Sequence, residues 1–340
     1  MQNSSAQNQY KIQDPRRPRR WRQSEMIRAL VRENEITVDD LLQPVFVTEC
    51  SAETEPIASL PGQMRYPLGA LAPRIKELAQ LGIKGVMLFP VNDPARKDAH
   101  GTYATDKNGL ICRALQQAKQ ACPDILTFAD IALDPFTSHG HDGILNAKGD
   151  VDNDATVAAL VNMSLTLASA GCDFVCPSDM MDGRIGAIRS ALDAAGHSQV
   201  AILSYCAKYA SAFYGPFRDA VGQKIRGLDK STYQLAPSNR RQALVEAELD
   251  TEEGADVLMI KPGGPYLDIV RDLRNHSNLP LAVYQVSGEY AMIKAAAERG
   301  WLDEEKIILE TLLGFKRAGA DMIATYFAAD AAKLLTRAAN

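Results

Sequence analysis

Two lysines carry the strongest chemical signal in the sequence. Lys261 directly follows the apolar run 257–260, and Lys208 follows the β-rich run 200–204. Burial at the end of an apolar strand lowers the pKa of a lysine amine, and a second cation close by lowers it further. Because a neutral lysine amine attacks ketones, the pair predicts carbonyl chemistry through Schiff bases.

Further polar residues stand at the ends of other β-rich runs, where they could move protons or bind a ligand. They are Asp130, Ser178, Asp179, Ser287 and Tyr326. A strand-end lysine taken alone more often binds phosphate or forms a salt bridge. Two lysines among these polar groups favour condensation of carbonyl compounds.

The elements that must position these residues alternate between β-rich runs and amphipathic helical stretches from Pro44 onward. Eight runs are typical of strands: 45–47, 85–89, 125–130, 174–176, 200–204, 257–260, 281–286 and 322–326. This alternation predicts an α/β fold, a (β/α)8 TIM barrel, with a doubly wound sheet as the alternative. Neither G-x-G-x-x-G nor a P-loop motif follows the first strand, which argues against dinucleotide and nucleoside triphosphate binding. A barrel would gather the strand-end residues at one face.

Three similar segments join a predicted helix to a predicted strand. They are 170–173 (AGCD), 253–256 (EGAD) and 318–321 (AGAD). We interpret them as one type of turn, with glycine at the helix C-cap and aspartate leading into the strand.

Composition excludes several function classes. The 340 residues are 46% hydrophobic and carry a net charge of -5, so no general basic field attracts nucleic acid or an anionic membrane. No apolar run of about 18 residues occurs, and the N-terminus lacks a signal-peptide pattern. We therefore expect a cytoplasmic protein with a small-molecule substrate and neither a nucleic-acid nor a membrane partner. The scattered cysteines predict reduced thiols, and Cys172 with Cys176 lacks the further ligands of a zinc site.

Six longer motifs point to a known family. They are the runs 134–141 (DPFTSHGH), 177–184 (PSDMMDGR), 204–210 (SYCAKYA), 214–220 (YGPFRDA), 259–263 (MIKPG) and 284–290 (YQVSGEY). Together they closely resemble the porphobilinogen synthase family, also called 5-aminolaevulinate dehydratases, from about Arg28 to the C-terminus. The resemblance implies a TIM-barrel hydro-lyase that condenses two 5-aminolaevulinate molecules to porphobilinogen with loss of two waters, early in tetrapyrrole and haem biosynthesis.

The resemblance also implies a role for each site residue. Lys208 would form an imine with the substrate that becomes the acetate-bearing side of the product, and Lys261 with the propionate-bearing side. Proton transfer near Lys208 would fall to Asp130, Ser178 and Asp179. The substrate-binding residues would be Arg218, Lys230 and Gln234 on one carboxylate, Ser287 and Tyr326 on the other, and Tyr214.

A lid is expected over about residues 210–240, which include all but the last residue of the polar stretch 221–241. If it supplies Arg218 and Lys230, its closure on the substrate would exclude water from the imines.

The metal pattern departs from part of the family. Zinc-dependent members carry three cysteines at the positions of Ala132, Asp134 and Asp142, and this chain has no thiolate there. We therefore expect no active-site zinc. The chain resembles the magnesium-responsive branch, in which Glu246 would bind a hydrated allosteric Mg²⁺. Without the resemblance, Glu246 would count as an ordinary solvated helix carboxylate.

The first 35 residues predict an extended arm for subunit contacts, ahead of a catalytic domain over 36–340. The run 14–22 holds two prolines, five arginines and Trp21, and cannot fold alone. RNA binding is one interpretation, but one short basic run in an acidic protein favours docking on a neighbouring subunit. The resemblance suggests a homo-octamer.

Two other functions stay open at this point. A different lysine-imine barrel, such as an aldolase, would need one imine lysine and usually a phosphate loop. A catalytically inert barrel could bind a partner through the arginine-rich arm, but would have no need of two shielded lysines.

Overall fold

A computed structural model describes residues 16–222 and 229–339 of the chain. It divides into two units, residues 1–35 and 36–340. Within the first, a 3₁₀ turn at Pro18–Arg22 precedes the short helix α1 (Glu25–Leu30), and the Ser24 hydroxyl accepts the Ile27 N–H at 3.2 Å as its N-cap. No described side chain of residues 16–35 is buried. This segment therefore builds no core of its own.

The second unit is a closed barrel of eight parallel strands. They are β1 (Leu41–Thr48), β4 (Gly85–Val91), β5 (Leu126–Ile131), β6 (Phe174–Pro177), β7 (Ala201–Lys208), β8 (Val257–Lys261), β9 (Leu281–Gln285) and β10 (Met322–Thr325). They pair in chain order, and Leu41 opposite Ile323 closes the circle between β1 and β10. Each of the eight predicted runs forms one of these strands. The predicted TIM barrel is confirmed, and the closed circle excludes the doubly wound sheet.

A small hairpin that the sequence did not predict extends one edge of β1. Strand β3 (Met64–Pro67) runs parallel to β1 from Phe46 to Thr48, and β2 (Glu55–Pro56) pairs antiparallel with β3. Strand β10 pairs with β1 only at Leu41 and Leu42. The hairpin thus occupies the part of β1 that β10 does not reach.

Helices surround the barrel. They are α2 (Leu68–Gln80), α3 (Leu110–Ala121), α4 (Asn153–Ser169), α5 (Arg184–Ala194), α6 (Gly215–Ala220), α7 (Arg241–Glu252), α8 (Leu267–His276), α9 (Ser287–Glu298), α10 (Glu304–Ala318) and α11 (Ala328–Ala339). Helix α2 is amphipathic, since Leu71, Ile75 and Leu78 lie on one face and are buried against the core. No helix in the described ranges has both the length and the apolar run needed to cross a bilayer.

The three repeated turns have one geometry and fix the N-terminal ends of the strands. Gly171, Gly254 and Gly319 end their helices with φ of 95°, 101° and 122°, a region that favours glycine. The aspartate two residues later donates its backbone N–H to a residue near the start of the neighbouring strand and accepts that residue's N–H with its carboxylate. The pairs are Asp173 with Thr127, Asp256 with Ile202, and Asp321 with Leu281. This end of a TIM barrel serves stability.

Cys172 and Cys176 are buried beside and within β6. Burial raises the pKa of Cys172 to about 12 and that of Cys176 well above its usual value. Both are therefore protonated thiols that pack as small apolar residues, as the sequence indicated.

Candidate active site

The two lysines lie side by side because of one irregularity in β7. Ser204 is opposite Leu258, but Ala207 is opposite Ile260, so a bulge adds one residue to β7 between them. Without that residue Ala207 would face Lys261, whereas in the structure Lys208 does. Lys208 is 6% exposed and Lys261 is 7% exposed.

Aromatic rings surround the Lys261 amine. Its Nζ lies 4.6 Å from the ring centroid of Tyr284 and 5.0 Å from that of Tyr205, with the rings of Tyr214 and Phe217 at 5.5 and 5.4 Å. It forms no ion pair with any residue that the structure describes. Burial, assisted by the positive charge of Lys208, lowers the pKa of Lys261 to about 7. A substantial fraction of this amine is therefore neutral, and nucleophilic, at neutral pH.

Lys208 has the opposite environment, because one carboxylate and one backbone carbonyl hold its ammonium group. Its Nζ donates to Asp142 Oδ2 at 3.1 Å and to the Ser178 carbonyl. Asp142 also binds the Lys230 ammonium, which lies 3.3 Å from Asp134 Oδ2. Burial acts to raise the pKa of Asp142, but Lys208 and Lys230 outweigh it and hold that pKa at about 2. Lys208 is thus ion-paired, whereas the adjacent Lys261 has no ion-pair partner among the described residues.

Two buried carboxyl groups near the lysines have raised pKa values. Asp130, at the end of β5, has a buried Oδ1 without a hydrogen-bond partner among the described residues. Burial raises the pKa of Asp130 to about 6, against the opposing charges of Lys261 and Lys208. Asp179 follows β6, and burial likewise raises its pKa to about 6. Groups that titrate near neutrality suit proton transfer.

A second buried network holds Asp179 in place. Its Oδ1 accepts the Met181 N–H at 2.7 Å, and its Oδ2 lies 3.7 Å from Nε of Arg184. Arg184 in turn donates from both terminal nitrogens to Asp250 on α7. This guanidinium links the loop after β6 to the helix that carries Glu246.

The residues expected at the substrate carboxylates lie in two places. Ser287, at the start of α9, accepts the Phe217 N–H at 2.9 Å and donates to the Phe213 carbonyl at 3.3 Å, so it contacts the lid segment. The Tyr326 hydroxyl accepts a hydrogen bond from that of Tyr284 at 3.3 Å. Lid helix α6 thereby packs against the loop after β9.

Three further predicted substrate-binding residues belong to the lid region. The Tyr214 hydroxyl lies 2.8 Å from the Tyr209 carbonyl oxygen and 3.2 Å from that of Lys261. Arg218 is half-buried on α6. Gln234 is buried and lines a cavity that is formed in part by lid residues 231–236. Residues 223–228 of the predicted lid lie outside the described residues. The resemblance implies that Lys230 binds a substrate carboxylate together with Arg218. In the structure, the Lys230 ammonium instead pairs with Asp134 and Asp142.

Glu246 lies apart from the lysines. It is half-buried on α7 and lines a cavity of about 500 Å³ with Asp150, Asp182, Gln234 and Gln242. Burial, helped by the nearby charge of Asp250, raises the pKa of Glu246 above its usual value. The three carboxylates that line this cavity do not form a group that could hold a metal ion directly, so only a hydrated ion held through water would suit them.

At the three positions where zinc-dependent family members are expected to have cysteines, this chain has one alanine and two aspartates. Ala132 is buried, while Asp134 and Asp142 share the Lys230 ammonium. Across the part of the chain that the structure describes, no group of three or more His, Cys, Asp or Glu side chains has an arrangement that could hold a metal ion.

Sequence reasoning missed the aromatic wall around Lys261 and the role of Asp142 as partner of Lys208. Tyr205, Phe217 and Tyr284 all lie within the motifs quoted above, but the sequence alone predicts no role for these three residues. Tyr205 and Tyr284 stand near the ends of β7 and β9, so their place on strand ends was the available signal.

A closed parallel barrel that pairs two buried lysines at adjacent strand ends defines a class of lysine-imine barrel enzymes. The model of the delta-aminolevulinic acid dehydratase family matches residues 15–334, and the chain belongs to that family. The resemblance seen in the sequence is thereby confirmed.

Similar proteins come from distant organisms. The delta-aminolevulinic acid dehydratase of Bradyrhizobium diazoefficiens is 51% identical over 320 residues, covering 94% of this chain and 90% of that protein. The chloroplastic delta-aminolevulinic acid dehydratase 1 of Arabidopsis thaliana is 49% identical over 323 residues, covering 94% of this chain and 74% of that protein. The crystal structure of the Toxoplasma gondii enzyme, in complex with its reaction product porphobilinogen, has a TM-score of 0.94 and 48% identity, covering 96% and 93%.

The lowered pKa of Lys261 gives a pH-dependent labelling experiment. A lysine becomes acylable above its pKa, so acetic anhydride should label Lys261 half-maximally near pH 7, as measured by peptide mass spectrometry. Lys208→Met removes the neighbouring positive charge and should move this midpoint to higher pH. Lys306→Met, which changes an exposed lysine, should leave it unchanged. Labelling of Lys261 only above pH 10 would contradict the assigned environment.

Proposed function

We propose that this protein condenses two molecules of 5-aminolaevulinate to porphobilinogen with loss of two waters, as a hydro-lyase. The observation that carries the proposal is the pairing of Lys208 with Lys261 at adjacent strand ends in unlike surroundings. The names of the relatives and the product bound in the Toxoplasma gondii structure support the same substrate. An aldolase needs only one such lysine.

Lys261 starts the chemistry in this proposal. Its neutral amine attacks the ketone of one substrate, and the resulting carbinolamine loses water to give an imine. The surrounding rings of Tyr205, Phe217 and Tyr284 keep water away and so limit hydrolysis of the imine. Asp130, with its pKa near 6, can take up and return the protons of these steps.

Lys208 reacts second, because its ammonium group must first lose a proton. A carboxylate with a pKa of about 2 is a weak base, so Asp142 orients Lys208 and does not deprotonate it. Asp130 and Asp179, with pKa values near 6, are the better acceptors, and Ser178 supplies the carbonyl that holds the Lys208 nitrogen. The second imine releases the second water.

The atoms balance over the two imines. The two ketone oxygens leave as the two waters. The amino group of the substrate on Lys261 then replaces Lys208 at its imine carbon and gives up one proton. A new carbon–carbon bond joins the methylene next to that carbon to the imine carbon on Lys261. Loss of both protons of this methylene and of one proton from the amino-bearing carbon releases Lys261 and completes the pyrrole, and the four protons together restore the two lysine amines. Holding both substrates on adjacent strand ends turns a bimolecular condensation into an oriented one.

Two sets of side chains bind the carboxylates in this proposal. Arg218, Lys230 and Gln234 take one, and Ser287 with Tyr326 takes the other, with Tyr214 beside Lys261. For this role the Lys230 ammonium must move from Asp134 and Asp142 to the substrate. Its transfer would couple substrate binding to closure of the lid.

The central claim predicts the loss of one specific function. Lys261→Arg keeps the positive charge but offers no neutral amine, so formation of porphobilinogen from 5-aminolaevulinate should fall below detection. Borohydride should trap substrate mass on Lys208 and Lys261 peptides of the wild-type protein. Turnover of the variant within about tenfold of wild type, or folded wild-type protein that makes no porphobilinogen, would defeat the assignment.

We also propose that the chain belongs to the magnesium-responsive branch, with no active-site zinc and with Glu246 holding an allosteric Mg²⁺. The absence of thiolates at Ala132, Asp134 and Asp142 supports the first part. The acidic cavity that Glu246 shares with Asp150 and Asp182 supports the second.

Metal removal separates these expectations. EDTA should lower activity and added Mg²⁺ should restore it, whereas a thiol-competing zinc chelator should have little effect. Glu246→Ala should abolish the Mg²⁺ stimulation and keep the activity seen without Mg²⁺. Glu248→Ala, an exposed change on the same helix, serves as the control and should respond like wild type. Strict dependence on zinc would refute the proposal.

We further propose a cytoplasmic homo-octamer in which the arm contacts neighbouring subunits, without nucleic-acid or membrane partners. The arm has no buried residue among 16–35, and Trp21 and Met26 are exposed apolar side chains on it. A partner surface would cover these exposed apolar side chains, and an acidic protein offers charge complementarity to the arginines of the arm.

Truncation tests the arm. Deletion of residues 1–25 should keep the circular dichroism of a folded barrel but lower the mass measured by light scattering, together with activity. Deletion of residues 1–13 keeps the arginine run and should retain the full mass. An RNA-binding arm predicts unchanged mass and turnover, with loss of a salt-sensitive RNA complex.

A further inference from the structure

Glu289 is a buried carboxylate that the proposed chemistry does not use. Its Oε1 accepts the Gly264 N–H at 2.7 Å, and its Oε2 accepts the N–H groups of Val286 at 2.8 Å and Gly263 at 3.3 Å. The residue is 6% exposed, and no described lysine, arginine or histidine forms an ion pair with it. Burying a carboxylate without a cation is costly, and here three backbone donors compensate for lost water.

The two glycines that follow Pro262 both lie in tight surroundings. A Cβ on Gly264 would lie 2.5 Å from Oε1 of Glu289. A Cβ on Gly263 would lie 2.4 Å from the Val283 side chain and 2.7 Å from that of Phe315. Glycine at both positions therefore lets the loop after β8 bring its amides to the carboxylate.

The residues just before Glu289 hold the start of the lid. Ser287 bonds to the backbone of Phe213 and Phe217, and a Cβ on Gly288 would lie 2.5 Å from the Phe213 carbonyl oxygen. The tripeptide 287–289 thus contacts the lid segment on one side and the Lys261 loop on the other.

We propose that Glu289 is a positioning residue, which fixes the backbone of Lys261 through Gly263 and Gly264 and so sets the imine-forming amine in register with Ser287 and the lid. Lys261 is the last residue of β8, and only Pro262 separates it from the held amides. A small displacement of a reacting group is enough to slow a reaction strongly. This inference rests on the proposed function, because it assigns Glu289 to the reactivity of Lys261.

The experiment measures how fast borohydride traps 5-aminolaevulinate on the Lys261 peptide at saturating substrate. Glu289→Gln keeps the size of the side chain but sets an NH₂ group against at least one backbone N–H, and should slow trapping about tenfold or more. Gly264→Ala, whose new methyl displaces Oε1, should act in the same direction. If both act through one contact, the double variant should be no slower than the slower single variant.

A matched control separates positioning from general stability. Glu253 also accepts a glycine N–H with its side chain, that of Gly186 at 3.0 Å, and Glu253→Gln should trap like wild type whatever its unfolding midpoint in urea. Trapping at the wild-type rate in folded Glu289→Gln overturns the inference and leaves the proposed function intact. If Glu289→Gln does not fold, the trapping rate of Gly264→Ala decides in the same way. Wild-type protein without substrate on Lys261 defeats the proposed function itself.

Discussion

The site depends on keeping one lysine buried without a counter-charge. Burial of an ammonium group is unfavourable, and the protein does not relieve it at Lys261 with an ion pair among the described residues. The cost appears as a lowered pKa, which is also what makes the amine reactive at neutral pH. The closed barrel and the rings of Tyr205, Phe217 and Tyr284 sustain that environment, because together they leave the amine few routes to water.

The neighbouring Lys208 differs from Lys261, because its ammonium group is held by an ion pair. Asp142 and Asp134 together neutralise Lys208 and Lys230, so that side of the site is a balanced network of charges. Lys208 still places a positive charge beside Lys261, and this charge helps to lower the pKa of the Lys261 amine. In the proposed mechanism, Lys208 therefore helps to make Lys261 reactive, and the difference between the two lysines sets the order in which the two imines form.

Much of the barrel could be predicted because its pattern is local. The apolar runs that became β4 and β8, and the helical spacing of Leu71, Ile75 and Leu78, are visible within a few residues of sequence. The strand-end lysines follow from the same runs. Local pattern also explains the turns at Gly171 and its two counterparts, since glycine and aspartate recur there at fixed spacing.

The rest could not be predicted because it depends on contacts between distant residues or on a single added residue. Every residue of β7 after Ala201 is buried, so hydrophobic periodicity gives no sign of the bulge that places Lys208 opposite Lys261. The bonds of Lys230 to Asp134 and Asp142 span about ninety residues, and no local rule selects them. The hairpin of β2 and β3 is too short to produce a period.

Carboxylates serve different purposes at the two ends of the barrel. At the N-terminal ends of the strands, Asp256 and its two counterparts form reciprocal bonds with backbone groups, which fixes strand positions at sites far from the chemistry. At the other end Asp130 has an oxygen without a partner among the described residues, and burial raises its pKa to about 6. The strand-start carboxylates are committed to backbone N–H groups, whereas Asp130 keeps an oxygen available for a proton. The fold can carry both because it keeps them at opposite ends of the same strands.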